Sequence, residues 1–201
     1  MAEVQTLFVT KLYRAAVDGV SNDELLRSCM SIAKDDAAGR RWSKEKGYSG
    51  YTSYASLNDL PKRDPSIAAL KSALDKHASA FAKALHLDLG GRKLKLDSLW
   101  INALEPGGAH SGHIHPHSML SGTYYVDVPA GASALKLEDP RLPLMMAAPP
   151  RIDDAPEAER TFVYVSPRAG DVLMWESFVR HEVPVNAAKR ARVSISFNYS
   201  L

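Results

Sequence analysis

The sequence predicts a mainly β protein with helices in its N-terminal part, an α+β fold in which a jelly-roll core is flanked by helices. Up to about residue 90 the apolar residues recur with helical spacing, and beyond it they alternate as in strands. This second part holds eight short segments bounded by Gly or Pro, which favours a two-sheet jelly roll. The 201 residues suit a single domain, with 1–92 as a helical support region and 93–201 as the jelly-roll core.

Two helices are predicted in the N-terminal part. Ser21 and Glu24 form a capping box, and the apolar spacing after it indicates a helix over residues 22–37. A second helix begins with Asp64 as its cap and Pro65 in its first turn, and it ends before two consecutive glycines. Residues 41–60 show no clean period, and we expect an ordered loop there.

The C-terminal part contains the predicted strands and one long loop. The strands are expected at residues 93–104, 110–116, 121–128, 133–138, 161–166, 171–175, 181–185 and 191–199. Between the fourth and fifth strands, Pro140 to Glu159 holds several prolines and little periodicity. We expect a long loop here, either a functional lid or a tolerated surface insertion.

Composition excludes several classes of protein. The 25 basic and 23 acidic residues give a net charge of +2 without a basic run, so we expect no nucleic-acid partner. No apolar stretch approaches the ~20 residues of a membrane span, and no signal-peptide pattern is present, so we expect no membrane partner and a cytoplasmic location. The single cysteine, Cys29, agrees with a reducing compartment, and its apolar neighbours indicate a buried structural thiol.

A histidine cluster is the most informative motif. His110, His113, His115 and His117 lie within eight residues, and alternate residues of a strand share a face. Two histidines at i and i+2 can therefore present nitrogens to one metal ion. His181, at the start of a later strand, is expected to join them. The third ligand is His115, His117 or water, and the alternative is a set of surface histidines.

A candidate carboxylate clamp follows on the last strand. Arg192 and Ser194 project to the same side, where a guanidinium binds a carboxylate in bidentate fashion and a hydroxyl adds a hydrogen bond. Arg190 shares that face and is the rival. We favour Arg192 because Ser194 stands at the next position on the same face.

These motifs together resemble those of the 2-oxoglutarate- and Fe(II)-dependent oxygenases. More closely, the chain resembles a branch with a W-x-N, HxHP, SGxYYV, DPR, HxVxPN and RxSISFN series. In this sequence the series is Trp100–Asn102, His113–Pro116, Ser121–Val126, Asp139–Arg141, His181–Asn186 and Arg192–Asn198. The resemblance covers about residues 98–200.

The resemblance implies a double-stranded β-helix core, Fe(II) and 2-oxoglutarate as cofactors, and a hydroxylase-type activity. His113, His115 and His181 would be the metal ligands, with His117 as the alternative third. Arg192 and Ser194 would hold the far carboxylate of 2-oxoglutarate, and Tyr124 or Tyr125 would hydrogen-bond the cosubstrate. Asn102 would belong mainly to the framework, with a substrate contact as the alternative. The sequence departs from the family where a carboxylate ligand is expected, because His115 stands there.

Two other functions are considered beside an oxygenase. A cupin is the nearer alternative, because Gly107 precedes His113-Ile114-His115 at a suitable distance, but the glutamate of the cupin motif is missing. A non-catalytic jelly-roll protein that binds a metal or a small acid is the other. For an oxygenase we expect a small-molecule or peptide substrate of unknown identity, and the sequence allows a homodimer.

Overall fold

Two antiparallel β-sheets and four helices make up the protein in a computed structural model that describes residues 1–201. The helices are α1 (Asn22–Asp35), α2 (Ala37–Glu45), α3 (Leu60–Arg63) and α4 (Pro65–Ala84). The strands are β1 (Tyr13–Ala16), β2 (Gly50–Thr52), β3 (Lys95–Leu104), β4 (His110–His113), β5 (Leu120–Asp127), β6 (Leu135–Glu138), β7 (Phe162–Val165), β8 (Asp171–Glu176), β9 (His181–Val183) and β10 (Arg192–Ser200).

The sheets form the predicted jelly roll. The larger sheet has the order β1-β8-β5-β10-β3-β2 and the smaller one the order β4-β9-β6-β7. Strands that neighbour each other in a sheet are mostly distant along the chain, as a jelly roll requires. The mainly β fold with helices in its N-terminal part is therefore confirmed.

The two faces of the larger sheet carry different residues, because successive side chains of a strand point to opposite sides. In β10, residues Val193, Ile195, Phe197 and Tyr199 belong to the main hydrophobic cluster, together with apolar residues of α1 and α4. Residues Arg192, Ser194, Ser196 and Asn198 lie on the opposite face, toward the smaller sheet. The helices thus cover one face, and the other face lines the inside of the jelly roll.

Both predicted helix starts are confirmed by their capping contacts. The Ser21 hydroxyl accepts a hydrogen bond from the backbone N–H of Glu24, and the Asp64 carboxylate accepts from the N–H groups of Ser66 and Ile67. Cys29 is fully buried in α1, and burial raises the pKa of its thiol to about 12, as expected for a structural residue.

Part of the N-terminal prediction is wrong. The helix predicted over 22–37 ends at Asp35, because Asp36 leaves the helical conformation and caps α2 by accepting from the N–H of Gly39. The segment 41–60, expected to be a loop, contains the end of α2 and also β2. Strand β1 was not predicted. No helix combines the length and the apolar character that a membrane span needs.

The C-terminal strands agree closely with the prediction. Each of the eight predicted segments overlaps an observed strand, β3 to β10. The segment from Pro140 to Glu159 is a long connection with two short 3-10 turns, at Leu142–Leu144 and Glu157–Glu159.

Candidate metal and cosubstrate site

Three of the predicted histidines meet at one end of the smaller sheet. Strands β4 and β9 are antiparallel with His113 opposite His181, and His115 follows two residues after His113. One ring nitrogen from each of these three residues lies within 4.8 Å of the others. The Nε2 atoms of His115 and His181 are 3.3 Å apart. The register of the two strands therefore creates a three-imidazole cluster.

Hydrogen bonds orient two of these rings. Nδ1 of His113 lies 2.7 Å from the carbonyl oxygen of Ser111, and Nδ1 of His181 lies 3.0 Å from that of Val179. Because a carbonyl only accepts, each Nδ1 carries the hydrogen and each Nε2 keeps its lone pair. This is the arrangement that metal-binding imidazoles adopt in proteins.

Burial keeps two of the three imidazoles neutral. Burial, and to a smaller extent the charge of His113, lowers the pKa of His181 to about 3 and that of His115 to about 4. Near pH 7 these imidazoles are therefore unprotonated, as metal ligands must be. At this pH, protons should therefore compete little with a metal ion for these ring nitrogens.

The separations suit a single divalent ion. Two nitrogens bound at ~2.1 Å to one ion lie roughly 3 Å apart, close to the 3.3 Å between His115 and His181. The cluster contains no carboxylate. Three neutral imidazoles would therefore leave the full charge of the ion in place, whereas two histidines and one carboxylate would reduce it.

The other two histidines of the motif lie outside this cluster. His117 is exposed and has a positive φ of 72°, so the structure does not support it as the alternative third ligand. His110 faces away from the cluster toward Tyr48, whose hydroxyl is 2.6 Å from its Nε2. The sequence analysis grouped all four histidines because they are closely spaced along the chain. In the structure, the turn after His115 directs His117 away from the cluster.

Arg192 is buried inside the jelly roll without an acidic partner. Only 2% of it is exposed, and its one hydrogen bond runs from a terminal guanidinium nitrogen to the carbonyl of Ser133, at 3.0 Å. Its guanidinium carbon lies 5.3 Å from the ring centre of Tyr125. Arg190, the rival, is exposed and pairs with Asp127. The preference for Arg192 over Arg190 therefore agrees with their surroundings.

Four buried polar side-chain atoms have no hydrogen-bond partner. They are the Nε of Arg192, the hydroxyls of Tyr125 and Ser133, and Nε1 of Trp175. Trp175 also packs against His181, with 4.7 Å between ring centres. A buried donor without a partner costs about 1–3 kcal/mol, so these groups indicate a site for a polar, acidic ligand between Arg192 and the histidines. Ser133 and Trp175 were not predicted as site residues, because no sequence spacing links them to Arg192.

Ser194 and Tyr125 share the inner face with Arg192. Ser194 is buried and lies opposite Tyr125 of β5 and Asn102 of β3. Tyr124 has to be corrected as a cosubstrate residue. As the neighbour of Tyr125 it points to the opposite face of the sheet, where its hydroxyl hydrogen-bonds Asn22 at the start of α1.

Asn102 also faces inward, but its amide already has partners. Its Oδ1 accepts from the Thr52 hydroxyl at 2.9 Å, and its Nδ2 donates to Ser196 at 3.1 Å. The residue is 3% exposed. These contacts connect β2, β3 and β10, and they agree with the framework role of Asn102 rather than with the alternative of a substrate contact.

A cleft of about 730 Å³ opens beside His113. One wall of the cleft is the end of α2 and the turn that follows it. The other wall is the edge of the smaller sheet. Its lining includes Trp42, Lys46, Tyr48, His110, Pro184 and Val185. The sequence analysis missed this wall because residues 41–60 show no period, although their aromatic residues were the available signal.

Comparison with known proteins supports one family. Residues 98–198 match the family model described as "Putative 2OG-Fe(II) oxygenase". No curated protein is significantly similar in sequence.

Several solved structures share the fold. A Pseudomonas putida prolyl-4-hydroxylase is 17% identical, with 94% of this chain and 92% of that chain covered and a TM-score of 0.54. AviO1 from Streptomyces viridochromogenes is 16% identical, with 96% and 90% covered and a TM-score of 0.60. A Trichoplax adhaerens prolyl hydroxylase in complex with a hypoxia inducible factor peptide fragment is 15% identical, with 94% and 82% covered and a TM-score of 0.61.

The matched residues include the three histidines and Arg192 and span half of the chain. The match favours an oxygenase over the cupin and the non-catalytic binding protein, and the buried arginine on the last strand agrees with it. The chain therefore belongs to the 2OG-Fe(II) oxygenase family, as a 2-oxoglutarate- and Fe(II)-dependent dioxygenase.

Proposed function

We propose that His113, His115 and His181 hold the Fe(II) of this dioxygenase, and that Arg192, Ser194 and Tyr125 hold the far carboxylate of 2-oxoglutarate. The observation that carries the proposal is the buried Arg192 with its unpartnered Nε, on the face of the larger sheet that turns toward the smaller, histidine-bearing sheet. A carboxylate is the partner that a desolvated guanidinium requires.

When bound, Fe(II) and 2-oxoglutarate supply the O₂ activation and the oxidative decarboxylation that hydroxylation of a substrate C–H bond needs. The protein's own residues position and shield the site. One ring nitrogen from each imidazole lies near a common point, and Trp175 covers one side of His181. The hydroxyls of Tyr125 and Ser194 are available to the cosubstrate carboxylate.

The cleft beside His113 is the proposed entrance for the substrate. Its volume of about 730 Å³ lies within the range of small-molecule pockets, roughly 300–1,000 Å³, and it is also large enough for one side chain of a peptide. Trp42, Pro184 and Val185 offer apolar contacts, and Lys46 adds a positive charge. One fold neighbour was solved with a peptide fragment, which supports keeping both substrate classes, small molecules and peptides.

The metal assignment is tested by binding of Fe(II) under anaerobic conditions. His113→Ala and His181→Ala should abolish stoichiometric Fe(II) binding and preserve the circular dichroism spectrum. His117→Ala is the matched control from the same motif and should bind one equivalent as the wild type does. Full occupancy in either ligand variant would contradict the assignment.

The cosubstrate assignment is tested with a matched pair of arginines. Arg192→Leu should weaken 2-oxoglutarate binding at least about a hundredfold, equivalent to ~2.7 kcal/mol, and still bind Fe(II). Arg190→Leu removes only an exposed ion pair and should bind 2-oxoglutarate normally. The readout is the 2-oxoglutarate-dependent charge-transfer band of the anaerobic Fe(II) protein. Equal bands in both variants would refute the role of Arg192.

A further inference from the structure

The Nδ1 atoms of the three candidate ligands have two different kinds of hydrogen-bond partner. His113 and His181 each donate Nδ1–H to the backbone carbonyl two residues earlier, so each has a bare Nε2. His115 has no carbonyl partner. Its Nδ1 faces Nδ2 of Asn198 instead, at 3.5 Å.

This difference fixes the tautomer of His115. The bare Nε2 of His181 lies 3.3 Å from Nε2 of His115 and only accepts, so Nε2 of His115 carries the hydrogen. Nδ1 of His115 is then bare and accepts from the NH₂ group of Asn198. In this hydrogen-bonded arrangement His115 has the tautomer opposite to the one that a metal ligand needs.

The surroundings of Asn198 allow either tautomer. Its Nδ2 also donates to the Ser98 hydroxyl at 3.0 Å, and its Oδ1 accepts from the Ser121 hydroxyl at 2.8 Å. The Ser121 hydroxyl in turn lies 2.8 Å from that of Ser177. Hydroxyl groups both donate and accept. An amide turned by 180° would therefore keep its hydroxyl partners and present Oδ1 to an Nδ1–H of His115.

We propose that Asn198 is a positioning residue for His115, and that its amide, held among hydroxyls, supports the metal-free and the metal-binding tautomer in turn. The proposal rests on the proposed function, because it takes His115 as the third ligand. It also explains why the third imidazole does not need a carbonyl partner. Asn198 is 6% exposed, and Ser121 and Ser177 are 1% exposed each, so an unpaired donor at this place would be costly.

Histidine tautomers can be read directly from long-range ¹⁵N–¹H correlation spectra. In the metal-free wild type, His115 should carry its hydrogen on Nε2, and His113 and His181 should carry theirs on Nδ1. One equivalent of Zn(II), a diamagnetic probe, should convert His115 to the Nδ1–H form. In Asn198→Asp, whose carboxylate only accepts, His115 should be in the Nδ1–H form before zinc is added.

Affinity for Fe(II) alone provides the second readout, with Asn102 as matched control. Both asparagines are buried amides among hydroxyls on the inner face, but only Asn198 contacts a histidine. Asn198→Leu should weaken Fe(II) binding about 10–100-fold, as loss of a supporting partner does. Asn198→Asp should strengthen it at least about tenfold through added negative charge. Asn102→Leu and Asn102→Asp should bind within about twofold of wild type.

Two results would overturn the inference. One is a wild-type His115 that already carries its hydrogen on Nδ1 without metal. The other is a pair of Asn198 variants whose Fe(II) affinities shift no more than those of the Asn102 pair. If the wild type binds Fe(II) and either of these results is found, the inference about Asn198 fails but the proposed function stands. A wild type that binds no Fe(II) refutes the metal site itself.

Discussion

The two faces of strand β10 are both hidden from solvent, yet they are chemically opposite. The helix-facing residues are Val193, Ile195, Phe197 and Tyr199, and the inward-facing ones are Arg192, Ser194, Ser196 and Asn198. The first set packs with the helices. The second set supplies hydrogen-bonding groups, and the unpartnered ones lie near Arg192. Burial therefore serves stability on one face of β10 and ligand binding on the other.

The largest expected effect lies on the helix-facing side. Phe197 is fully buried against Gly122, where a Cβ would stand 2.5 Å from its ring. Phe197→Ala should lower the free energy of unfolding by about 3–5 kcal/mol. Its neighbour on the other face, Ser196, bonds Asn102 and Thr123, and Ser196→Ala should cost about 1–2 kcal/mol. Urea unfolding measures both values, and equal costs would contradict the division between the faces.

Removing the Arg192 side chain should raise the free energy of unfolding, whereas Phe197→Ala lowers it. In the cofactor-free protein this buried guanidinium has one hydrogen bond and no carboxylate partner. Replacing an uncompensated buried charge by an apolar side chain is often stabilising. Arg192→Met should therefore raise the free energy of unfolding by about 1–2 kcal/mol and abolish stabilisation by 2-oxoglutarate.

The control for Arg192→Met is Arg190→Met, at an exposed ion pair. It should change the free energy of unfolding by no more than about 0.5 kcal/mol. Thermal melts with and without 2-oxoglutarate and Fe(II) compare the two variants. A cofactor-free Arg192→Met protein clearly less stable than wild type would show that the arginine serves the fold.

The sequence predicted the inner face of the sheet better than the elements that cover it. Regular alternation from residue 93 onward indicated every strand from β3 to β10, because a strand with two different faces leaves a period of two. The segment 41–60 left no period, since β2 is three residues long and α2 begins at the break made by Asp36. The wall of the cleft was therefore missed.

The site was predictable where spacing along one strand determined it. His113, His115 and Arg192 follow from same-face positions, and His181 from the start of a strand. Tyr124 and Tyr125 were not separable, because the sequence does not say which face of β5 is inward. The roles of Ser133, Trp175 and Asn198 depend on contacts between distant strands, which no local pattern contains.

His110, at the rim of the inner face, makes the stability of the fold depend on pH. Burial, and to a smaller extent the nearby charge of Arg192, lowers the pKa of His110 to about 3. In the unfolded chain the pKa is ~6.5, so below that pH the unfolded state binds a proton that the folded state does not. Stability is lost as the pH falls from ~6.5 toward 3, with a slope of about 1.4 kcal/mol per pH unit from this residue.

The test is His110→Phe, which removes this titration. Between pH 6 and 4.5 the free energy of unfolding of the wild type should fall more steeply than that of the variant, by about 1.4 kcal/mol per pH unit. The other histidines titrate in both proteins and cancel in the difference. Parallel curves for the two proteins would show that His110 is freely protonated in the folded state.

The smallest expected effect concerns the helical support alone. The Asp64 carboxylate caps α4 by accepting from the N–H groups of Ser66 and Ile67, at 2.8 and 3.2 Å. Asp64→Ala should lower the free energy of unfolding by about 1 kcal/mol. Asp59 precedes α3 without such a bond, and Asp59→Ala should stay within about 0.5 kcal/mol. Because α4 packs on the face away from the histidines, both variants should keep the Fe(II) affinity of the wild type. A weaker affinity in Asp64→Ala would mean that the two faces of the sheet are coupled.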